Sequence, residues 1–273
     1  MVIKDALMLG NAMLNDASDT PGLDSKILLE KACNCDRLFL IRNRDEEISD
    51  ESLTQYKAFL ERRKLKEPVA YIINEKEFMG LSFYVDKNVL IPRPDTEILV
   101  EYAISCCHGK VLDIGTGSGA IAVSLAKLGK GLSVSACDIS ESALSVAEKN
   151  ALSNEASVNF FHCDILSDEL KEKYDAIISN PPYIRSDVVL TLESNVKDYE
   201  PMTALDGGGD GLIFYRTITE KAYEALTPDG ILAFEIGYDQ GKEVSEIMEP
   251  CFNNIKVIKD LAGNDRVVTG TKK

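Results

Sequence analysis

From residue 110 onward the chain alternates between short apolar runs and longer stretches with helical spacing, and no other feature constrains its fold as much. Residues 110–113 read as a strand and 120–128 as a helix; 132–137 read as a strand and 141–151 as a helix. Residues 158–163 and 175–179 are strand-like, 212–226 helical, 231–236 strand-like and 240–248 helical, with 255–261 and 266–269 as closing strands. Such alternation predicts a mostly parallel sheet with helices on both faces.

The preceding residues have another character. Up to about Tyr71 the pattern is helical: Asp24 opens an amphipathic run over 24–33, 36–41 form a short apolar turn, and Ser49 opens a segment running to Leu65. Residues 76–91 place Phe78, Leu81, Phe83, Val85 and Val89 around Gly80 and Asp86-Lys87-Asn88, the pattern of a β-hairpin. The expected organisation is a helical domain over 1–75, a hairpin linker over 76–91 and an α/β domain over 92–273.

The first strand of the α/β region runs into Gly115-Thr116-Gly117-Ser118-Gly119-Ala120, which opens a helix. Strand, glycine-rich turn and helix in that order form a nucleotide cradle, because glycine lets backbone approach a ligand closely. Asp138 ends the next strand 23 residues after Gly115, where a carboxylate can accept from both hydroxyls of a ribose. Gly115, Gly117 and Ala120 also satisfy the G-x-G-x-x-A form of a dinucleotide site, and a turn without ligand is the plainer alternative. Asp113 before the loop favours the cationic S-adenosylmethionine over a pyrophosphate, as does the tight Gly-x-Gly-x-Gly spacing. Asp164 and Ile165 end the third strand, where Asp164 can accept from an adenine amine and Ile165 can pack on the ring; a simple strand-end aspartate is the competing reading.

Asn180-Pro181-Pro182-Tyr183 follows the strand 175–179. Each proline fixes φ and lacks an N–H, so the chain leaves the sheet as a stiff corner. A side-chain amide, proline carbonyls and an aromatic face then converge on one small volume suited to a planar amino group. Without a ligand, the same four residues would be a tight turn. Ligands of open α/β sheets bind at the carboxyl ends of strands near the switch point, so this corner and the glycine loop are expected to share one crevice.

Composition narrows the chemistry. Net charge is −15, with 13 Lys and Arg against 16 Asp and Glu over residues 1–91 (net −3) and 17 against 29 over 92–273 (net −12). A surface this acidic repels phosphate backbones, which disfavours a direct nucleic-acid partner, though solubility alone explains much of the charge. No apolar run approaches a membrane span and no secretory signal is evident, so a cytoplasmic location is expected. Seven cysteines without a C-x-x-C pair and two histidines point to reduced thiols and no metal site.

On these residues the sequence resembles the HemK-type peptide-chain release factor glutamine N5-methyltransferases over nearly its whole length. The resemblance also rests on residues 67–72 and 77–81, on Ile91-Pro92-Arg93-Pro94-Asp95-Thr96-Glu97, on Tyr199-Glu200-Pro201, Gly207-Gly208 and Asp210-Gly211-Leu212, and on Asp265-Arg266-Val267-Val268. It implies a class I (Rossmann-like) S-adenosylmethionine-dependent methyltransferase sheet behind a helical domain that docks the release factor. It implies that Gly115, Thr116, Gly117, Ser118, Gly119, Asp138, Ile165 and, with them, Asp164 and Asn180 bind S-adenosylmethionine, with S-adenosylhomocysteine as product. Asn180, Pro181, Pro182 and Tyr183 would hold the glutamine of a Gly-Gly-Gln loop, with Asn180, Pro181 and Tyr183 acting in catalysis. Two departures are Asn74, where glycine is usual, and Ile165, where some relatives carry an aromatic residue.

Arg93 and Glu97 either gate the site or brace the hairpin, and Glu200 and Asp210 either wall the pocket or face solvent. Three other functions compete: an adenine N6-methyltransferase, which shares Asn-Pro-Pro-Tyr; an NAD(P)-dependent oxidoreductase; and a catalytically silent adaptor.

Overall fold

The computed structural model describes residues 1–273, which divide into two compact units: Met1–Glu75 with Glu193–Tyr199, and Lys76–Leu192 with Glu200–Lys273.

The first unit is helical: α1 (Ile3–Leu14), α2 (Pro21–Cys33), α3 (Arg37–Arg42), α4 (Asp50–Lys64) and α5 (Val69–Ile73). Asp36 and Ser49 cap α3 and α4 by accepting from the Phe39 and Ser52 amides. Leu14, Leu28, Leu29, Leu40, Tyr56 and Leu60 form the core. The buried Tyr56 hydroxyl bonds to Ser25 Oγ (2.7 Å) and the Ala6 carbonyl (3.2 Å), which satisfies its polar end. Asn74 ends α5 at φ 53°, ψ 40°, a left-handed cap that asparagine tolerates better than most residues. The glycine-to-asparagine departure at this position therefore leaves the turn intact.

In the second unit, β1 (Lys76–Phe78) and β2 (Leu81–Phe83) pair antiparallel. Pairing stops at Phe83, so the hairpin is shorter than residues 76–91. A 3₁₀ turn (Pro94–Thr96) leads to α6 (Glu97–Cys106), a helix the strand–helix alternation did not anticipate. Then come β3 (Gly109–Ile114), α7 (Ala120–Leu128), β4 (Leu132–Asp138), α8 (Glu141–Ser153), β5 (Val158–His162) and β6 (Tyr174–Ser179). Two single-turn helices follow, α9 (Ser186–Val189) and α10 (Ser194–Lys197), the latter belonging to the first unit. The chain closes with α11 (Ile213–Ala225), β7 (Leu226–Glu235), α12 (Gly241–Met248), β8 (Phe252–Lys259) and β9 (Asp265–Lys272).

The seven-stranded sheet has the order β5-β4-β3-β6-β7-β9-β8; all pairs are parallel except those made by β9. Successive residues face opposite sides, and both sides are buried. Leu112, Ile114, Ile177, Leu232 and Phe234 pack with α11 and α12, whereas Val111, Ala176, Ile178 and Ala233 pack with α6 and α7. The chain moves outward from β3 through β4 to β5 and then returns to β6 on the other side of β3, which makes the β3–β6 junction the switch point. No helix is long and apolar enough to cross a membrane.

Candidate active site

Where β3 ends, Gly115, Gly117 and Gly119 all adopt positive φ (73°, 54° and 79°). A Cβ at Gly115 or Gly117 would meet nothing within 4 Å, so glycine serves the conformation there and faces open space. A Cβ at Gly119 would instead stand 3.0 Å from Ala147 Cβ, so this glycine lets α7 pack on α8. The Gly115 and Thr116 amides donate to the Cys137 carbonyl at 2.9 and 3.0 Å. Asp138 fastens the loop further, accepting from Gly117 N (2.8 Å) and Ser140 N (2.9 Å), one on each oxygen. Burial raises its pKa against the pull of these amides, and each oxygen keeps a second lone pair for a ligand hydroxyl.

The other loop residues stand behind this surface. Thr116 Oγ1 donates to Asp113 Oδ2 (2.7 Å), and the Ser118 carbonyl accepts from Asn150 Nδ2 (2.9 Å). Asp113 lies fully buried beneath the loop, and burial pushes its carboxyl up to about 7. Asp113, expected only to favour a cationic ligand over a pyrophosphate, does not line the cavity and braces the loop through Thr116.

Gly115, Gly117 and Asp138 line a cavity of about 480 Å³ together with Asp164, Ile165, Asn180, Pro181 and Pro182. Ile165 is buried in its wall. The Asp164 carboxylate accepts from Leu166 N (2.9 Å) and Ser167 Oγ (3.0 Å), so it fixes its own turn as well as facing the cavity. Sequence reasoning missed the wall formed by Asn88, Val89 and Leu90, whose hydrophobic pattern reads equally well as hairpin core. It also missed Ser140, Ile213 and Phe214. Thr116, Ser118, Gly119 and Tyr183 do not line the cavity.

The register pairs Ile114 with Ser179, so Gly115 and Asn180 leave the sheet side by side. Asn180 Nδ2 donates to Thr96 Oγ1 at 3.3 Å. Tyr183 packs against the core side of the sheet, and burial pushes its hydroxyl up to about 12. Its carbonyl accepts from Gln240 Nε2 (3.1 Å). The corner is zipped to the segment after it: Ile184 N donates to the Leu205 carbonyl (3.1 Å) and Gly207 N to the Ile184 carbonyl (2.8 Å). A Cβ at Gly207 would lie 2.8 Å from the Pro182 carbonyl oxygen, which explains the glycine there.

The flanking charges sort by contact. Arg93 pairs with Glu200 at 2.5 Å; the Glu200 side chain is almost fully buried and burial raises its pKa against the guanidinium. Glu97 accepts from Met79 N (2.8 Å), which braces the hairpin turn. Asp210 accepts from Leu212 N (3.1 Å) at the start of α11 and pairs with Arg216 in solvent. Glu235, read in the sequence only as part of the strand 231–236, is buried beside Asn180. A lone carboxylate closing the run Ile231-Leu232-Ala233-Phe234 was the available signal.

Comparison with known proteins decides the family. Residues 5–73 match the PrmC N-terminal domain and residues 94–195 the Methyltransferase small domain. A release factor glutamine methyltransferase of Clostridium acetobutylicum is 46% identical, covering all of this chain and 99% of that one. One from Clostridium botulinum is 42% identical with both chains covered completely. The chain belongs to the release factor glutamine methyltransferases. Among solved structures, a methyltransferase from Pyrococcus furiosus aligns with a TM-score of 0.54 at 21% identity, covering 72% of this chain and 91% of that one, which supports the fold.

As a release factor glutamine methyltransferase, the chain uses S-adenosylmethionine, and its residues fit that ligand. The open space above Gly115 and Gly117 admits a ligand where any side chain would project. Asp138 at the cavity edge suits ribose hydroxyls, and Ile165 offers an apolar surface for a purine.

Proposed function

We propose that this enzyme methylates the side-chain amide nitrogen of the glutamine in the Gly-Gly-Gln loop of peptide-chain release factors. The observation that supports the reading is the side-by-side exit of Gly115 and Asn180 from β3 and β6, which sets the glycine loop, proposed to hold the methyl donor, beside the corner proposed to hold the amide. Near-complete coverage by relatives bearing the release factor name supports the substrate class. Residues 1–75 are proposed to dock the release factor, residues 76–91 to link, and residues 92–273 to carry the chemistry.

S-adenosylmethionine bound in the cavity supplies a methyl group on a positively charged sulfur and leaves as S-adenosylhomocysteine. The difficulty lies with the acceptor: an amide nitrogen is a poor nucleophile because its lone pair is delocalised into the carbonyl. As that nitrogen forms its bond to the methyl carbon, it becomes more tetrahedral and its N–H bonds more acidic. Asn180 Oδ1 and the Pro181 carbonyl are proposed to accept those hydrogens, more strongly in the transition state than before it. The fixed φ angles of Pro181 and Pro182 stiffen the backbone that carries the Pro181 carbonyl, and the Thr96 bond restrains the Asn180 amide, so little reorganisation is needed as charge develops. One amide proton is released to solvent after transfer, and no dedicated base is required. Tyr183, proposed from the sequence to stack on the amide, is better placed to anchor the corner through its core packing and the Gln240 bond.

The test offers purified release factor and nucleic acid side by side to the enzyme with labelled methyl donor. Label on the release factor, mapped by mass spectrometry to the loop glutamine as a methyl increment, is the expected result. Label on adenine alone would replace this reading with the nucleic-acid one.

A further inference from the structure

Behind Asn180, away from the cavity, lies a buried charged cluster. The register of β6 and β7 pairs Ser179 with Phe234, so the next residues, Asn180 and Glu235, emerge side by side. Glu235 is 2% exposed, and its Oε2 has no hydrogen-bond partner. Thr96 and Asn180 stand beside this carboxylate and favour its charged form, while Asn180 Nδ2 donates to Thr96 Oγ1 (3.3 Å). Thr96 itself is buried, and neither it nor Glu235 lines the cavity.

We propose that Glu235, assisted by Thr96, is a positioning residue that turns the Asn180 amide so that Nδ2 faces the cluster and Oδ1 faces the substrate. The inference rests on the release factor reading above and deepens it. An asparagine amide is nearly symmetric in shape, and only its hydrogen-bond partners decide which end points where. A carboxylate accepts and cannot donate, so it selects Nδ2. The flipped amide would present two N–H donors to a glutamine nitrogen that is itself a donor, and transfer would lose its acceptor.

The surroundings keep this carboxylate responsive to pH. Arg266 is the nearby cation, but it is shared between Asp95 and Asp260, at 3.1 Å each. Tyr183 and Tyr215 also face Glu235, and Tyr215 Oη donates to the Glu235 backbone carbonyl (3.0 Å). Burial outweighs Thr96, Arg266 and Asn180 and, with Asp95, pushes the Glu235 carboxyl up to about 7. Once protonated, Glu235 can donate to Asn180 Oδ1 and favour the wrong orientation, so activity should rise with pH through this region.

The test uses the full-length enzyme with intact release factor, measuring kcat and KM from pH 6 to 8.5, and S-adenosylhomocysteine affinity by calorimetry. In Glu235→Gln the affinity should stay within about twofold, kcat should fall about tenfold or more with KM for release factor little changed, and the rise near pH 7 should vanish. Glu235→Asp, which keeps the charge, should recover part of the rate and the pH dependence; Thr96→Val should lose rate in the same direction by a smaller factor. Glu235→Gln with wild-type kcat overturns the proposal. Wild-type enzyme that binds S-adenosylhomocysteine yet leaves release factor unmethylated overturns instead the reading on which the proposal rests.

Discussion

Ser179 Oγ donates to the Ile114 carbonyl at 2.7 Å, across the β3–β6 junction where the two site loops begin. Both residues are buried. This side-chain bond ties the last residue before the glycine loop to the last residue before the Asn-Pro-Pro-Tyr corner. Replacing Ser179 by alanine should cost about 1 kcal/mol of stability. It should also lower kcat while sparing S-adenosylhomocysteine affinity, because the corner loses its tether and the loop keeps Asp138. Urea unfolding together with steady-state kinetics checks both.

The three glycines of the loop should separate by role. Gly115→Ala meets no neighbour but forces a side chain into positive φ, a strain of about 1 kcal/mol, and projects a methyl into the space proposed for the ligand. Gly119→Ala adds a crowded contact with Ala147 to a similar strain. Calorimetry should find the larger affinity loss in the first variant, and thermal melts the larger stability loss in the second.

Asp138 is expected to hold the ribose while bracing Gly117 and Ser140. Asp138→Asn should weaken S-adenosylhomocysteine binding about 10- to 100-fold, the range for losing hydrogen bonds to a charged group. Unchanged affinity in isothermal titration would remove Asp138 from the cofactor set.

Two buried carboxyls should give stability an unusual pH dependence. Asp113 and Glu235 each stand near 7 in the fold, above ordinary values of 3.8 and 4.5. Between those values and 7 the folded chain holds protons that the unfolded chain has released, so their contribution is greatest at low pH and is lost as pH rises through 7. The urea midpoint of the wild type should therefore fall more steeply from pH 5.5 to 8 than that of Asp113→Asn.

Much of this was legible beforehand because it depends on local chemistry. Glycines at Gly115 and Gly117 declared the turn, Pro181 and Pro182 declared the corner, and the alternation of strands and helices declared the sheet that joins them. What escaped depends on contacts distant in sequence. Residues Glu97–Cys106 form a helix because Leu99, Val100 and Ala103 bury against the sheet. Residues Glu193–Tyr199 group with the first unit, where Tyr199 Oη donates to the Leu65 carbonyl (2.7 Å), a pairing no local pattern announces. Asp113 was legible as a loop residue, but its burial was not. Glu235 was hidden in the same way: only the register of β6 and β7 brings it to Asn180.

Asn180 is proposed to accept from the glutamine amide as the methyl is transferred. Single-turnover transfer to intact release factor by Asn180→Ala, with S-adenosylhomocysteine affinity measured on the same preparation, tests it most directly. The predicted result is retained affinity with a rate lower by about 10²-fold or more, comparable to deleting an oxyanion donor. Transfer at the wild-type rate would contradict it.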